Sequence, residues 1–346
     1  YGDNLVERNE TFLVVLGTPY YYTARIGDGW GVGTIVNDDS ALQMATLSFS
    51  ATLLKEYVSG AAVFFDTNGN RICDEQEPQT TTAADGSFDL QIPSVFDLNG
   101  DGILDLSEGV IVASGGVDTA TLLPLETVLL APAEAQIVSP LTTLITIVAQ
   151  QGVSVGEAEA KVRQAFELED LPLLSFDAVQ GVVDGFAAAP GVLAANAALH
   201  DTIVGLGQLF ETADGGFTDA ARASMESIAE RIGASADILS LKDSTTLGLL
   251  ASESAERLDV AVDPALQSAA AAVIAESNRR LDDVTPTTDV SFLDELARVQ
   301  QVFRSETISD LADAAGGIIP VDTLMSKNSG QALEELIANA LTGNLL

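Results

Sequence analysis

Residues 135–145 read Ala-Gln-Ile-Val-Ser-Pro-Leu-Thr-Thr-Leu-Ile, and the period of the apolar residues changes inside this stretch. Before Ser139 the apolar positions come in short β-rich runs bounded by Gly, Asn and Asp; after Pro140 they recur three or four residues apart. Ser139 suits an N-cap, where its hydroxyl accepts from an exposed main-chain N–H, and Pro140 suits the first helical position, where its missing donor costs nothing. The switch predicts β structure upstream and helices downstream.

Upstream, residues 11–16 (TFLVVL), 24–36, 41–50, 58–65, 79–83, 87–92, 110–114 and 120–130 read as strands, and Asp85-Gly86 predicts a two-residue type I′ hairpin between two of them. Downstream, helices are expected over about 140–151, 155–168, 177–188, 191–212, 218–233, 244–259, 264–283, 291–315 and 330–342. Ser154 with Glu157, Thr218-Asp219 and Asp263-Pro264 are start signals, and Gly152, Gly233 and Gly316-Gly317 are matching stops. Val192, Leu199, Ile203, Leu206 and Phe210 form one apolar stripe, and the alanines at 269–272 predict a close helix approach. The fold class expected is multidomain β + α: antiparallel β-sandwich modules followed by an all-α helical bundle. The divisions fall at 1–40, 41–132 and 133–346.

The chain has 346 residues, enough for two or three domains. With 15 Lys+Arg against 51 Asp+Glu it carries a formal charge of −36, which repels nucleic acid and anionic membrane surfaces and favours hard cations. A hydrophobic content of 47 % excludes an acidic disordered tail. The longest apolar runs, such as 122–130, are interrupted by Pro124 and Glu126 and fall short of the roughly 18 residues of a membrane span, so no membrane insertion is expected. Tyr1 opens inside a strand-like pattern with no leader before it, the expectation for a piece of a longer precursor. A single cysteine, Cys73, permits no internal disulfide, and a single histidine, His200, leaves most hydrolase chemistry without a base.

Two twelve-residue stretches carry the clearest chemistry. Asp97-Leu-Asn99-Gly-Asp101-Gly102-Ile103-Leu-Asp105-Leu-Ser-Glu108 places side-chain oxygens at positions 1, 3, 5, 9 and 12, with glycine at position 6 and a main-chain carbonyl, that of Ile103, at position 7. Calcium takes six to eight oxygens in a flexible shell closed by a bidentate carboxylate, and this spacing supplies them. Asp66-Thr-Asn68-Gly-Asn70-Arg71-Ile72-Cys-Asp74-Glu-Gln-Glu77 follows the same grid, with the Ile72 carbonyl at position 7, but has Arg71 at position 6 and fewer formal charges. Weaker binding is expected there. Flanking strands argue for a structural ion that locks a β-loop, in place of a helix–loop–helix sensor.

The stretch VSGAAVFFDTNGNRICDEQEP…TTTAADGSFDL (58–90) resembles the calcium-binding B-type repeats of Gram-positive surface adhesins, related to collagen-adhesin B domains. Over roughly 41–132 the resemblance implies a β-sandwich in which calcium stiffens a stalk. The segment VERNETFLVVLGTP…ARIGDGWGVGTIVNDDS (6–40) is similar to the C-terminal half of a Calx-β domain. That likeness implies a calcium-binding sandwich whose terminal acidic ligands match Asp38 and Asp39. With only its last strands present, such a sandwich would be completed by strands of a neighbouring subunit, which implies a homo-oligomer or fibre built by β-strand complementation. The segment GGVDTATLLPL…AQIVSPLTTLI (115–145) resembles a region found next to such β-modules in large secreted bacterial proteins, a likeness that names no chemistry.

Catalytic alternatives are thin. His200-Asp201 could be a base and its orienter, but no nucleophile motif accompanies them, and a partly exposed helical histidine is the expectation. Cys73 lies in an acidic loop that raises a thiol's pKa. Glu334-Glu335 and Asp282-Asp283 read as solvated helix faces, whereas Tyr20-Tyr21-Tyr22 and Trp30 could mark a contact surface or pack at an edge. The expected function is a calcium-stabilised structural or adhesive protein of a bacterial surface, extracellular, and not an enzyme. A carbohydrate- or protein-binding module is the alternative, with glycans or other surface proteins as partners; a hydrolase ranks last because no spacing singles out an acid–base pair.

Overall fold

The structure, a computed structural model, describes residues 10–15, 30–35, 46–53, 57–168, 170–211, 216–235, 237–284 and 290–341. Strands β1 (Glu10–Val15) and β2 (Trp30–Ile35) pair antiparallel, with Glu10 opposite Ile35 and Val15 opposite Trp30. The β-rich part continues with β3 (Thr46–Leu53), β4 (Val58–Ser59), β5 (Ala62–Asp66), β6 (Gln79–Thr81), β7 (Ser87–Pro93), β8 (Val110–Ser114), β9 (Val117–Asp118), β10 (Leu129–Ala131) and β11 (Ile137–Val138). These form a sheet in the order β10-β8-β5-β6, a second in the order β11-β3-β7, and the small pair β4-β9. Pairing is antiparallel throughout except for β11, which lies parallel to β3.

The two larger sheets face each other across one buried cluster. Phe49, Leu53, Leu90 and Ile92 come from one sheet and Val63, Phe65, Ile111 and Leu129 from the other. The opposite face of the four-stranded sheet is buried as well: Phe64, Val110, Val112 and Leu130 join the core of the helical part. This explains why β5 and β8 read as continuous apolar runs, since a strand covered on both faces has no solvent side to alternate with.

The helices are α1 (Pro140–Gln150), α2 (Val155–Ala165), α3 (Ala178–Val183), α4 (Ala189–Phe210), α5 (Phe217–Ala234), α6 (Ser244–Leu258), α7 (Pro264–Asp283), α8 (Val290–Val302), α9 (Ile308–Ala315), α10 (Val321–Lys327) and α11 (Gly330–Leu341). The join between strand and helix is bonded, not merely sequential. Ser139 Oγ accepts from Thr142 N at 3.2 Å while Ser139 N donates to Thr142 Oγ1 at 2.8 Å, a capping box with threonine at its third position. Thr143 Oγ1 accepts from Leu130 N at 2.9 Å, so the first turn of α1 also ties to β10. Buried Ala269, Ala270 and Ala271 bring α7 against α4 and α6.

Five expectations need correction. The start signal at Thr218-Asp219 falls inside the first turn of α5, whose N-cap is Gly216 with no side-chain hydrogen bond. The turn at Asp85-Gly86 is not a two-residue hairpin: Gly86 N donates to Ala83 O at 3.1 Å and Ala83 N to Ser87 O at 2.8 Å, with positive φ at Gly86 and none at Asp85. The strands either side of it belong to different sheets, so the turn crosses from one layer to the other. Of residues 120–130 only Leu129 and Leu130, at the end of the range, lie in a strand, β10. The helix expected over 291–315 is broken by a π turn at Phe303–Thr307, and α10 follows where no helix was expected.

Candidate metal centre

Both acidic loops leave the same end of the four-stranded sheet. Asp66, position 1 of the first loop, is the last residue of β5 and pairs in register with Val110, the first residue of β8, two residues after the second loop closes at Glu108. Gly109 seals the junction; a Cβ there would stand 2.7 Å from Asp66 O and 2.6 Å from Phe65 Cζ. The sheet register therefore sets the loops side by side.

Their hydrogen bonding agrees position by position. Asp66 accepts from Gly69 N at 2.8 Å and Arg71 N at 2.8 Å; Asp97 accepts from Gly100 N at 2.7 Å and Gly102 N at 2.8 Å. The position-3 oxygens of Asn68 and Asn99 each accept from the position-5 N–H at 2.9 Å. Asn70 and Asp101 at position 5 accept from Ile72 N at 2.7 Å and Ile103 N at 2.9 Å. Glu77 accepts from Thr67 N at 2.9 Å and Asp74 N at 3.1 Å, and Glu108 from Leu98 N at 2.6 Å and Asp105 N at 3.0 Å. Asn68 Nδ2 and Asn70 Nδ2 both donate to Asp74 Oδ2, at 2.6 and 3.0 Å, which brings positions 3, 5 and 9 to one point. Position 6 has positive φ in both loops, +60° at Arg71 and +83° at Gly102. Side chains at positions 1, 3, 5 and 12 thus accept main-chain N–H bonds in the same pattern in both loops, while the amide bond from position 5 to position 9 occurs in the first loop, where position 5 is Asn70 and not an aspartate.

The charge is the unusual feature. Asp66, Glu77 and Glu108 are 1 %, 6 % and 5 % exposed. No Lys or Arg among the described residues forms an ion pair with any carboxylate of the two loops. Main-chain N–H groups orient these carboxylates without neutralising them, and buried carboxylates are ordinarily paired with a cation or bound to a metal. The donors are carboxylate, amide and main-chain oxygens, the set a hard divalent cation takes. Among the described residues no three His, Cys, Asp or Glu side chains are gathered as a metal cluster, so each loop would rely on Asn and main-chain oxygens beside its acids. Cys73 does not alter this chemistry: burial, then Glu77 and Asp74, push its thiol pKa up and disfavour the thiolate.

Asp38, Asp39 and Tyr20-Tyr21-Tyr22 lie outside the described residues. Trp30 is exposed on β2. His200 is not partly exposed as expected: it is 1 % exposed and Asp201 0 %, their Nδ1 and Oδ1 atoms 3.8 Å apart, because α4 is enclosed by α1, α3, α5, α7 and α9 and turns no face of this turn to solvent. Asp282, Asp283 and Glu334 are exposed and engaged in ion pairs with Lys242 or Arg280. Arg304, in the π turn, escaped notice in the sequence; its guanidinium donates to Pro124 O and to the Glu126 carboxylate, bridging the helical and β-rich parts. Its only sequence signal is that it is one of two arginines, with Arg298, in a helical stretch otherwise charged by acids. No described helix is long and apolar enough to cross a membrane. Comparison with protein-family models, with curated proteins and with solved structures finds no match to this chain.

Proposed function

We propose that this chain is a calcium-stabilised structural or adhesive module of a bacterial cell surface, in which ions held at Asp66–Glu77 and Asp97–Glu108 stiffen one end of the β-sandwich. The observation that carries this reading is the set of buried carboxylates that form no ion pair with a Lys or Arg among the described residues, in two loops of similar hydrogen-bond geometry. In each loop the side chains at positions 1, 3, 5, 9 and 12 and the carbonyl of Ile72 or Ile103 would hold the ion, which supplies neutralising charge. Without it the acids of each loop repel one another and the loop loosens.

Extracellular modules bind calcium at roughly 10⁻⁴–10⁻³ M. At 1 mM calcium and a Kd of about 10⁻⁴ M, each occupied loop adds about 1.4 kcal/mol to the folded state. A thermal melt with a calcium titration tests this: Tm and protease resistance should rise through the millimolar range and fall on chelation, with Asp97→Asn removing a large part of the gain. Unchanged Tm and proteolysis on chelation would overturn the reading.

The pair β1–β2 favours assembly with further copies. Phe12 and Val14 point to one face, Leu13 and Val15 to the other, and all four are about half exposed, with Trp30 and Val32 more so. A two-stranded ribbon that is apolar on both faces is marginal by itself in water, and strands of a second copy would extend it into a sheet.

A further inference from the structure

Arg71 occupies the loop position that in the companion loop is Gly102, and it adopts the left-handed backbone conformation there, φ +60°, that glycine takes without strain. The arginine gives its loop a reach that glycine cannot. Its main-chain N–H donates to Asp66 Oδ2 at 2.8 Å, inside the ligand set, while its guanidinium Nη2 lies 3.4 Å from Glu226 Oε1 on α5. Glu226 Oε2 in turn lies 3.8 Å from Arg257 Nη1 on α6, and Arg257 Nη2 is 2.5 Å from Glu230 on α5. One residue thus belongs both to the candidate ion site and to a charged chain that runs across two helices.

Two further features single out this loop. Cys73 at its eighth position packs against the core shared with the helices, whereas Leu104 at the same position of the other loop packs into the sheet–sheet core. Between the loop tip and α5 lies a cleft of about 410 Å³, lined by Asn70, Arg71, Thr127, Thr143, Met225 and Glu226. The loop is therefore not packed flush on the helix. Among the described residues Arg71–Glu226 is the ion pair that spans the gap.

We propose that Arg71 is a latch coupling ion occupancy of loop 66–77 to the α5–α6 face, an inference that rests on the calcium reading above. With the ion in place the Asp66 carboxylate and the backbone around position 6 are held, and the arginine stays left-handed with its guanidinium at Glu226. When the ion leaves, repulsion among Asp66, Asp74 and Glu77 opens the loop, Arg71 relaxes to negative φ and its side chain swings off α5. Linkage makes the effect reciprocal: whatever favours the Arg71–Glu226 pair tightens the ion by the same factor.

The test is a double-mutant cycle on the full chain with Arg71→Gly and Glu226→Gln, neither of which removes a ligand side chain. It is read by calcium titration calorimetry and by hydrogen exchange of peptides from 66–77, 217–234 and 244–258. Glu226→Gln should weaken calcium at the first loop about five-fold, at the lower end of typical coupling, leave the second loop unchanged, and have no effect in the Arg71→Gly background. Chelation should deprotect 217–258 in the unaltered chain but not in Arg71→Gly. Equal effects of Glu226→Gln in both backgrounds, or calcium-dependent protection of α5–α6 that survives Arg71→Gly, would overturn the latch while leaving the calcium reading intact. Absence of both binding heat and calcium-dependent protection at 66–77 would remove the calcium reading, and the latch with it.

Discussion

Ser139 shows how much one side chain can hold at the point where the chain changes character. It is 3 % exposed, its hydroxyl accepts from Thr142 N at 3.2 Å, and Thr142 answers through its own hydroxyl. Loss of a cap costs about 0.5–2 kcal/mol, and a buried first turn belongs to the upper half of that range because water cannot replace the lost acceptor. Ser139→Ala should therefore lower the unfolding free energy by about 1–2 kcal/mol in urea denaturation, and Ser139→Thr should recover most of it. An unchanged midpoint in the alanine variant would mean that Thr142 N finds another acceptor. At this scale the sequence is eloquent about chemistry and mute about distance. The oxygen spacing of both acidic loops is visible in one dimension, because each loop carries its candidate oxygen donors within twelve consecutive residues. The partner of Arg71 is 155 residues away in Glu226, and that of Arg304 is 178 residues away in Glu126. No local pattern announces either.

Among the elements, those whose boundaries are set by local chemistry are the ones the sequence reveals. The helix starts at Pro140, Val155, Ser244 and Pro264 follow Ser139, Ser154, Asp243 and Asp263, each an N-cap with a side-chain hydrogen bond into the first turn. The misread elements are those decided by what they pack against. Asp85-Gly86 reverses the chain as its composition demands, but the choice to place β6 and β7 in different sheets is made by the core. Helix α10 has seven residues, too few to show a periodicity, and is held by packing on α7, α9 and α11. The cap of α6 has a consequence for pH. Asp243 accepts from Thr245 N and Thr246 N, both at 3.2 Å, and these main-chain N–H bonds, with the Thr246 hydroxyl, hold its carboxyl below the ordinary value of 3.8. A depressed folded-state pKa means that its stabilising contribution is present above about pH 3.8 and is lost as pH falls below that through the folded value. Asp243→Asn keeps an equally good cap and removes the titration. Stability near pH 7 should stay close to that of the unaltered chain, while the acid limb of the stability–pH curve becomes shallower below pH 4. A limb of unchanged slope would place the acid sensitivity elsewhere.

Across the whole molecule, the four-stranded sheet behaves as the shared wall of two cores. Its residues alternate between them: Val63, Phe65 and Ile111 face the second sheet, whereas Phe64, Val110 and Val112 face the helices. A strand residue deleted from the helix-facing side should therefore be felt in the helices. Phe64 is 2 % exposed, and removing a buried phenyl ring costs about 3–5 kcal/mol when the surroundings cannot close over the space. Phe64→Ala should lower the unfolding free energy by that amount, read as a lower urea midpoint of the far-ultraviolet helical signal, in one transition that coincides with loss of near-ultraviolet signal from the β-rich part. The equivalent change on the other face, Phe65→Ala, acts first on the sandwich and reaches the helices only through cooperativity. Two separated transitions, with the helical one unmoved by Phe64→Ala, would show that the layers fold independently despite the wall they share. A single coincident transition has a further meaning for the loops. They sit at the end of this wall, beside Asp66 and Val110, so calcium at that end would stabilise the helical layer and the sandwich together.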